Sequence, residues 1–299
     1  MSDTAANLRR KIAGAGELES VVRTMKTMAA SNIGQYESAV RSLDAYYWAV
    51  QLALSATLRQ SKPEEGYPQT ARNAAQPIGA VVFGSDQGLV GQFNEVMSDF
   101  VVNKLKHLPG KKIVWAVGAR LESHLADTDL ALGATFVLPN SVTAITPLVG
   151  EILETLQSQH AMNVIAQVYL FHYRPTTGAA YAPEYQRLLP LDDNWRRDLA
   201  AIRWPSGNLP QVLQIEQYAL QAFIREYLFV SIFRACAESL ASENASRLAA
   251  MQLAEKNIDD LLEDLNRKFY RLRQSNIDEE LFDLVSGFEA LKPKRTANL

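Results

Sequence analysis

The sequence predicts an α/β domain inserted into a long antiparallel two-helix coiled coil, and three observations predict it. From Gln211 to Ser286 the chain runs without a proline or a glycine. Apolar residues recur every seven positions near both ends. Between the ends the periodicity changes to short apolar runs alternating with helix-like stretches, the pattern of strands joined by crossover helices.

The first segment, residues 1–62, is expected to be the N-terminal coiled-coil helix. Leu8, Ala15, Val22, Ala29, Tyr36, Leu43 and Val50 stand seven apart, and Leu18, Met25, Asn32, Ala39, Tyr46 and Ala53 fill a second row at three-then-four spacing. Asn32 is the polar member of that row and is expected to fix register. Gly14, Gly16 and Gly34 lower helix propensity, so fraying or a bend is expected near the first two. Ser61 to Pro77 collects three prolines, a glycine and small polar residues, and reads as a linker or mobile loop.

Residues 76–205 are expected to form a small doubly wound, Rossmann-like domain. Ile78–Phe83, Ile113–Val117 and Val164–His172 read as strands, and Asn94–Leu108, Arg120–Ala126 and Val142–Ser158 as helices. Tyr181–Leu191 and the turn-rich Trp204–Pro210 return the chain to the second long helix.

That helix, within residues 209–291, carries its own stripe. Met251, Ile258, Leu265 and Leu272 form one row, Ala254 and Leu261 the second, with Arg247 and Lys268 as polar intruders. An unbroken helix from Gln211 to Ser286 would extend on the order of 110 Å, too long for a globule to bury. It needs a partner, and the N-terminal seam supplies one from the same chain. Past Leu272 the phase shifts to Leu281, Val285 (or Leu284), Phe288 and Leu291, so regular pairing is expected to end there.

Composition narrows the function. The chain has 299 residues, is 47% apolar and carries a net charge of −3, so it has no basic surplus for nucleic acid. The single Cys236 forbids an intrachain disulfide and reads as core filler. The polar N-terminus shows no export signal, and Tyr218–Leu240 is interrupted by Arg225, Glu226, Arg234 and Glu238, so a cytoplasmic location is expected.

Gly84 to Asn94 follows a strand and precedes a helix, where open α/β sheets bind ligands. It matches neither GxGxxG, nor a Walker loop, nor GxSxG, and a structural turn is the stronger reading. His107, His124, His160 and His172 are scattered, with no HExxH or HxH, so metal ligation is not expected. No catalytic residue and no cofactor-binding residue stands out.

The two helices resemble the gamma subunit family, the central rotor shaft of F-type ATP synthases. The residues that carry the resemblance are Leu8-Arg9-Arg10-Lys11-Ile12 with Val21 to Ser31, then Ser242-Glu243-Asn244-Ala245-Ser246-Arg247-Leu248-Ala249-Ala250-Met251, Asn257, Leu261, Leu265, Arg273-Gln274, Ile277, Glu280 and Val285-Ser286-Gly287. Ser85 to Gly91 is similar to the family's SDRGLCG loop. Glu17-Leu18, Gln87, Val90 and Asp278 depart from the family pattern, and Glu19 to Lys26 (ESVVRTMK) is closer to the alternate, N-type subgroup.

The resemblance implies a non-catalytic subunit, seated inside an alpha/beta hexamer that carries the ATP sites. The α/β domain would face the epsilon subunit and the c-ring, peripheral to the cytoplasmic face of a bacterial inner membrane. It also implies Met25, Arg247, Arg273 and Gln274 as partner contacts, although Met25 equally suits a seam position. Lys292 to Arg295 reads as a flexible basic end. A small-molecule-binding α/β enzyme acting at Gly84–Asn94 and a cytoplasmic coiled-coil scaffold are the alternative readings.

Overall fold

The computed structural model describes residues 4–60, 77–176, 181–191, 193–208, 210 and 216–290. The expected linker, up to residue 76, and the basic tail lie outside them. Two long helices bracket the fold: α1 (Ala5–Gln60) and α6 (Glu216–Ala290). Between them come β1 (Ile78–Phe83), α2 (Phe93–Lys106), β2 (Lys112–Val117), α3 (Ala119–Ala126) and β3 (Ala131–Leu132), and then α4 (Ile145–Ala161), β4 (Gln167–Pro175), β5 (Tyr181–Leu189) and α5 (Asp193–Ala201). Helix α1 continues unbroken through Gly14, Gly16 and Gly34, and α6 through Gly287 to Ala290. The chain divides into two compact units, Met1–Thr27 with Ala249–Leu299 and Met28–Leu248.

In the first unit α1 and α6 run antiparallel, Lys26 meeting Glu255 and Arg9 lying over the Phe269 ring at 5.3 Å. The seven-residue row is as expected: Leu8, Ala15, Met251 and Leu265 are buried, and Val22, Ile258 and Leu272 half-buried. The second row is so only in part, with Met25 and Ala254 half-buried. Leu18 and Leu261 point outward, 59% and 49% exposed. Their place is taken one residue later by Ile12, Glu19 and Lys26 on α1 and by Glu255, Leu262 and Phe269 on α6.

The inner row therefore lies four residues after the first, not three. Lys26 and Glu255 both stand in it and neutralise each other, Nζ to Oε2 2.5 Å. Lys268 leaves the seam altogether and pairs with Asp264 at 2.7 Å. From Arg273 to Phe288 every residue of α6 is exposed. Intramolecular pairing stops where the phase shift predicts.

In the second unit the same +4 row continues on α1 as Ile33, Val40, Tyr47 and Leu54, with Tyr46 turned outward. Asn32 Nδ2 donates to Asn244 Oδ1 at 3.3 Å, and Tyr46 donates to Glu226 at 2.7 Å, so the helices are antiparallel here too.

The sheet has strand order β3-β2-β1-β4-β5. Its first four strands are parallel, as the doubly wound reading requires, and β5 is antiparallel to β4. The strand β5 was not expected, and the physical reason is its composition. Pro183, Glu184, Gln186 and Arg187 break any apolar run, which suits a sheet edge and hides the strand from a search for buried ones. Two apolar layers close the sheet. One face packs Ile78, Ala80 and Val82 under α2 and α3. The other packs Val81, Phe83, Val168 and Leu170 with α4 and with Leu54, Leu58, Ile232 and Phe233 of the long helices.

Candidate functional site

Asn32 of the N-terminal stripe, loop 84–91 and the start of the C-terminal signature meet in the second unit. Loop 84–91 leaves β1, and the polar groups of Ser85 and Asp86 are spent inside the protein. Ser85 is fully buried, its amide donating to Asn94 Oδ1 at 3.0 Å while Asn94 Nδ2 donates to Ser85 Oγ at 2.8 Å. The Asp86 carboxylate accepts from the Ala119 amide at 2.9 Å and from the Leu138 amide at 3.1 Å. Ala119 is the first residue of α3, so the anion-seeking N-terminus of that helix is already supplied. Gly118, at φ 115, lets the backbone pass Ser85; a Cβ there would meet Ser85 O at 2.7 Å.

Helix α6 meets this loop with a run of buried polar residues. Ser246 Oγ donates to Val90 O at 2.6 Å. Asn244 donates to Leu240 O at 2.8 Å while accepting from Asn32, so the N-terminal stripe, the loop and the C-terminal signature touch at one place. Glu243 is buried beside them and accepts from Arg247 Nη2 at 2.7 Å. Burial pushes the Glu243 carboxyl up, and Arg247 offsets only part of that.

A second polar cluster lies one to two turns back along α6. Glu238 is buried; one of its oxygens lies 3.2 Å from His172 Nε2 on β4, and the other accepts from Arg234 Nε at 2.9 Å. Arg234 continues to Asp44 of α1 at 3.3 Å and lies over the Tyr47 ring at 5.8 Å. Burial pushes the Glu238 carboxyl up, yet the hydrogen bonds from His172 and Arg234 outweigh it and hold it below the usual range. Sequence reasoning missed this cluster. Its His172–Glu238 pair spans 66 residues, and only Glu238 inside an apolar run hinted at it.

Of the four expected contact residues, Arg273 and Gln274 are adjacent and exposed on α6. Met25 is half-buried beside the Lys26–Glu255 pair, about five helical turns from Arg273. Arg247 belongs to the second unit and is turned onto Glu243, with 14% of its side chain exposed. No constellation of catalytic type unites them.

An apolar cavity of about 170 Å³ lies between α4, the sheet and α6, lined by Leu153, Leu156, Val168, Leu188 and Ile232, away from loop 84–91. Among the described residues no cluster of three or more His, Cys, Asp or Glu could hold a metal ion. No helix there is long and apolar enough to cross a membrane.

The family model described as ATP synthase matches residues 4–291. The chain belongs to the ATP synthase family that this model describes. Its relatives in that family include the ATP synthase gamma chain of Glaesserella parasuis, 24% identical over 291 residues covering 96% of this chain and 99% of the other. The ATP synthase gamma chain of Leptothrix cholodnii is 26% identical over 293 residues, covering 95% and 98%.

Solved ATP synthases share the fold. A chain of the Euglena gracilis mitochondrial OSCP/F1/c-ring assembly superposes with a TM-score of 0.69 at 18% identity, covering 99% of this chain and 97% of that one. A chain of the Tetrahymena thermophila mitochondrial central stalk and c-ring gives 0.59 at 24% identity, covering 78% and 99%. Long N- and C-terminal helices with a mixed-sheet domain between them in the chain are the fold that these chains share.

Proposed function

We propose that this chain is the central-stalk gamma subunit of a rotary F-type ATP synthase, coupling ion flow through a membrane rotor to ATP synthesis or hydrolysis in an alpha/beta hexamer. The family match from residue 4 to 291 carries the reading. The exposed end of α6 supports it, because Ile277, Leu281, Phe282, Val285 and Phe288 lie open to solvent on a helix that, among the described residues, nothing in its own unit covers beyond Leu272. The chain itself makes and breaks no bond. Its helices touch the hexamer asymmetrically, so its angle biases nucleotide affinity at each ATP site, and by linkage nucleotide binding biases its angle.

Its partners are the alpha and beta subunits, the epsilon subunit and the c-ring, and it works peripherally on the cytoplasmic face of a bacterial inner membrane. Met25, Arg247, Arg273 and Gln274 are the proposed contacts. Arg273 and Gln274 are fully available for them, and Arg247 through its remaining exposed edge. The test is affinity capture of the tagged chain from detergent-solubilised membranes. ATP-binding subunits should co-purify with ATPase activity, and the isolated chain should have none. Recovery of the chain alone, or only as self-associated oligomers, would instead favour a coiled-coil scaffold.

A further inference from the structure

We propose that Glu238 is a positioning residue that fixes the angular seat of the α/β domain on the helix pair, its single carboxylate joining β4 through His172 and α1 through Arg234. The role of this seat in coupling rests on the stalk reading above; the seat itself does not.

The carboxylate stands on α6 and meets β4 directly through His172, while Arg234, one turn back on the same helix, carries the contact on to Asp44 of α1; each arm is directional. The His172 arm is buried at both ends, each side chain 7% exposed. Among the described residues His172 Nδ1 has no hydrogen-bond partner. The imidazole proton is therefore best placed on Nε2, donating to Glu238, because a proton on Nδ1 would be a buried donor without an acceptor. The Arg234 arm leaves through a guanidinium 31% exposed to Asp44, which is 57% exposed, so the Asp44 contact is the solvent-screened part. Tyr47 lies under Arg234 and stacks at 6.0 Å on Tyr227, which meets Trp195 of α5 at 5.2 Å. Across β4 and β5 Glu184 stands opposite His172 in register, but its carboxylate turns to Arg174 at 3.3 Å.

The layer of α4, the sheet and the long helices beside the pair is apolar, and apolar contacts hold surfaces together without choosing an angle between them; Ser246 to Val90 O, and Arg59 to Ala200 O at 3.0 Å, are other directional contacts between the helices and the domain. A buried, fully paired carboxylate contributes little net stability against an apolar replacement; what it supplies is one permitted geometry. Loss of this key should let the domain shift on the helices while the apolar layer keeps it attached.

Nitroxide labels at Ser38→Cys on α1 and Ser123→Cys on α3, both exposed, report the seat, since native Cys236 is fully buried. Pulsed dipolar spectroscopy on the full chain should give a narrow distance distribution, broadened by Glu238→Gln and by His172→Phe. An unchanged width in both variants overturns the proposal. Should Glu238→Gln fail to fold, His172→Phe, which leaves the Arg234–Glu238 pair intact, decides the same question. In the captured complex the variants should keep ATPase activity and subunit composition while losing ion pumping against an opposing gradient. Broadening with undiminished pumping overturns the coupling role. If the wild-type chain captures no ATP-binding subunits, the stalk reading fails, and the distance measurement still decides the seat.

Discussion

Glu238 and Glu243 stand five residues apart on one helix, both buried, and their carboxyls are pushed in opposite directions. His172 and Arg234 supply Glu238 with two hydrogen bonds, enough to overcome burial and lower its pKa. Glu243 has Arg247 but also the Asp86 charge nearby, and burial wins. The two shifts carry opposite signs into stability. A lowered carboxyl stabilises the fold above the ordinary glutamate range and loses that contribution as pH falls through its folded pKa. A raised carboxyl binds its proton more tightly folded than unfolded, so the fold gains stability as pH falls from the raised value to the ordinary one. Thermal melts of Glu238→Gln and Glu243→Gln against wild type should therefore show opposite trends. The wild-type advantage over Glu238→Gln is largest at neutral pH and shrinks below the carboxylate range. Relative to Glu243→Gln, wild type improves as the solution is acidified. Parallel trends for the two would contradict these assignments.

At the scale of the element, the paired helices test which row is inside. Leu261 and Leu262 are adjacent leucines, and only the +4 register faces Leu262 inward. Leu262→Ala should cost roughly 1–2 kcal/mol in chemical denaturation, a fraction of a fully buried leucine's loss because the site is half-buried. Leu261→Ala should stay within about 0.5 kcal/mol; the reverse order would restore the +3 row. The same comparison explains what was legible in the sequence. The seven-residue rows were, because Leu8, Met251 and Leu265 leave no other face to bury. The second row was legible only in part, with Leu18, Tyr46 and Leu261 misplaced, because the +4 positions include Lys26 and Glu255. Read singly, each looks like a solvated residue; only their pairing across the two ends of the chain makes them fit. Strand β5 was hidden by its edge chemistry. Loop 84–91 was legible as a turn, since it lacks phosphate-binding spacing, whereas the Glu238 cluster depends on a strand and a helix that meet only in the fold.

At the scale of the whole molecule, the pairing of α6 among the described residues runs out at Leu272, and on the proposed function the rest of the helix is held by other subunits. Sixteen consecutive exposed residues, Arg273 to Phe288, mix apolar side chains with Arg273 and Gln274 at the point where the seam ends. A guanidinium offers a planar fork that a carboxylate of a partner can engage with two hydrogen bonds, and an adjacent amide can donate and accept beside it. Neither side chain is buried in this chain, so Arg273→Ala combined with Gln274→Ala should leave its unfolding free energy within about 0.5 kcal/mol of the parent. The loss should appear only in company. In vesicles carrying the reconstituted complex, ATP-driven ion pumping should fall. Capture of the mutant complex should be weaker than that of the wild type at low salt yet less sensitive to added salt, because the charge contact that salt screens is gone and the apolar surface carries the binding. Pumping at the parental level, with the double mutant folded and incorporated, would remove Arg273 and Gln274 from the contact surface and leave the exposed apolar residues from Ile277 onward as the part of α6 that the partner holds.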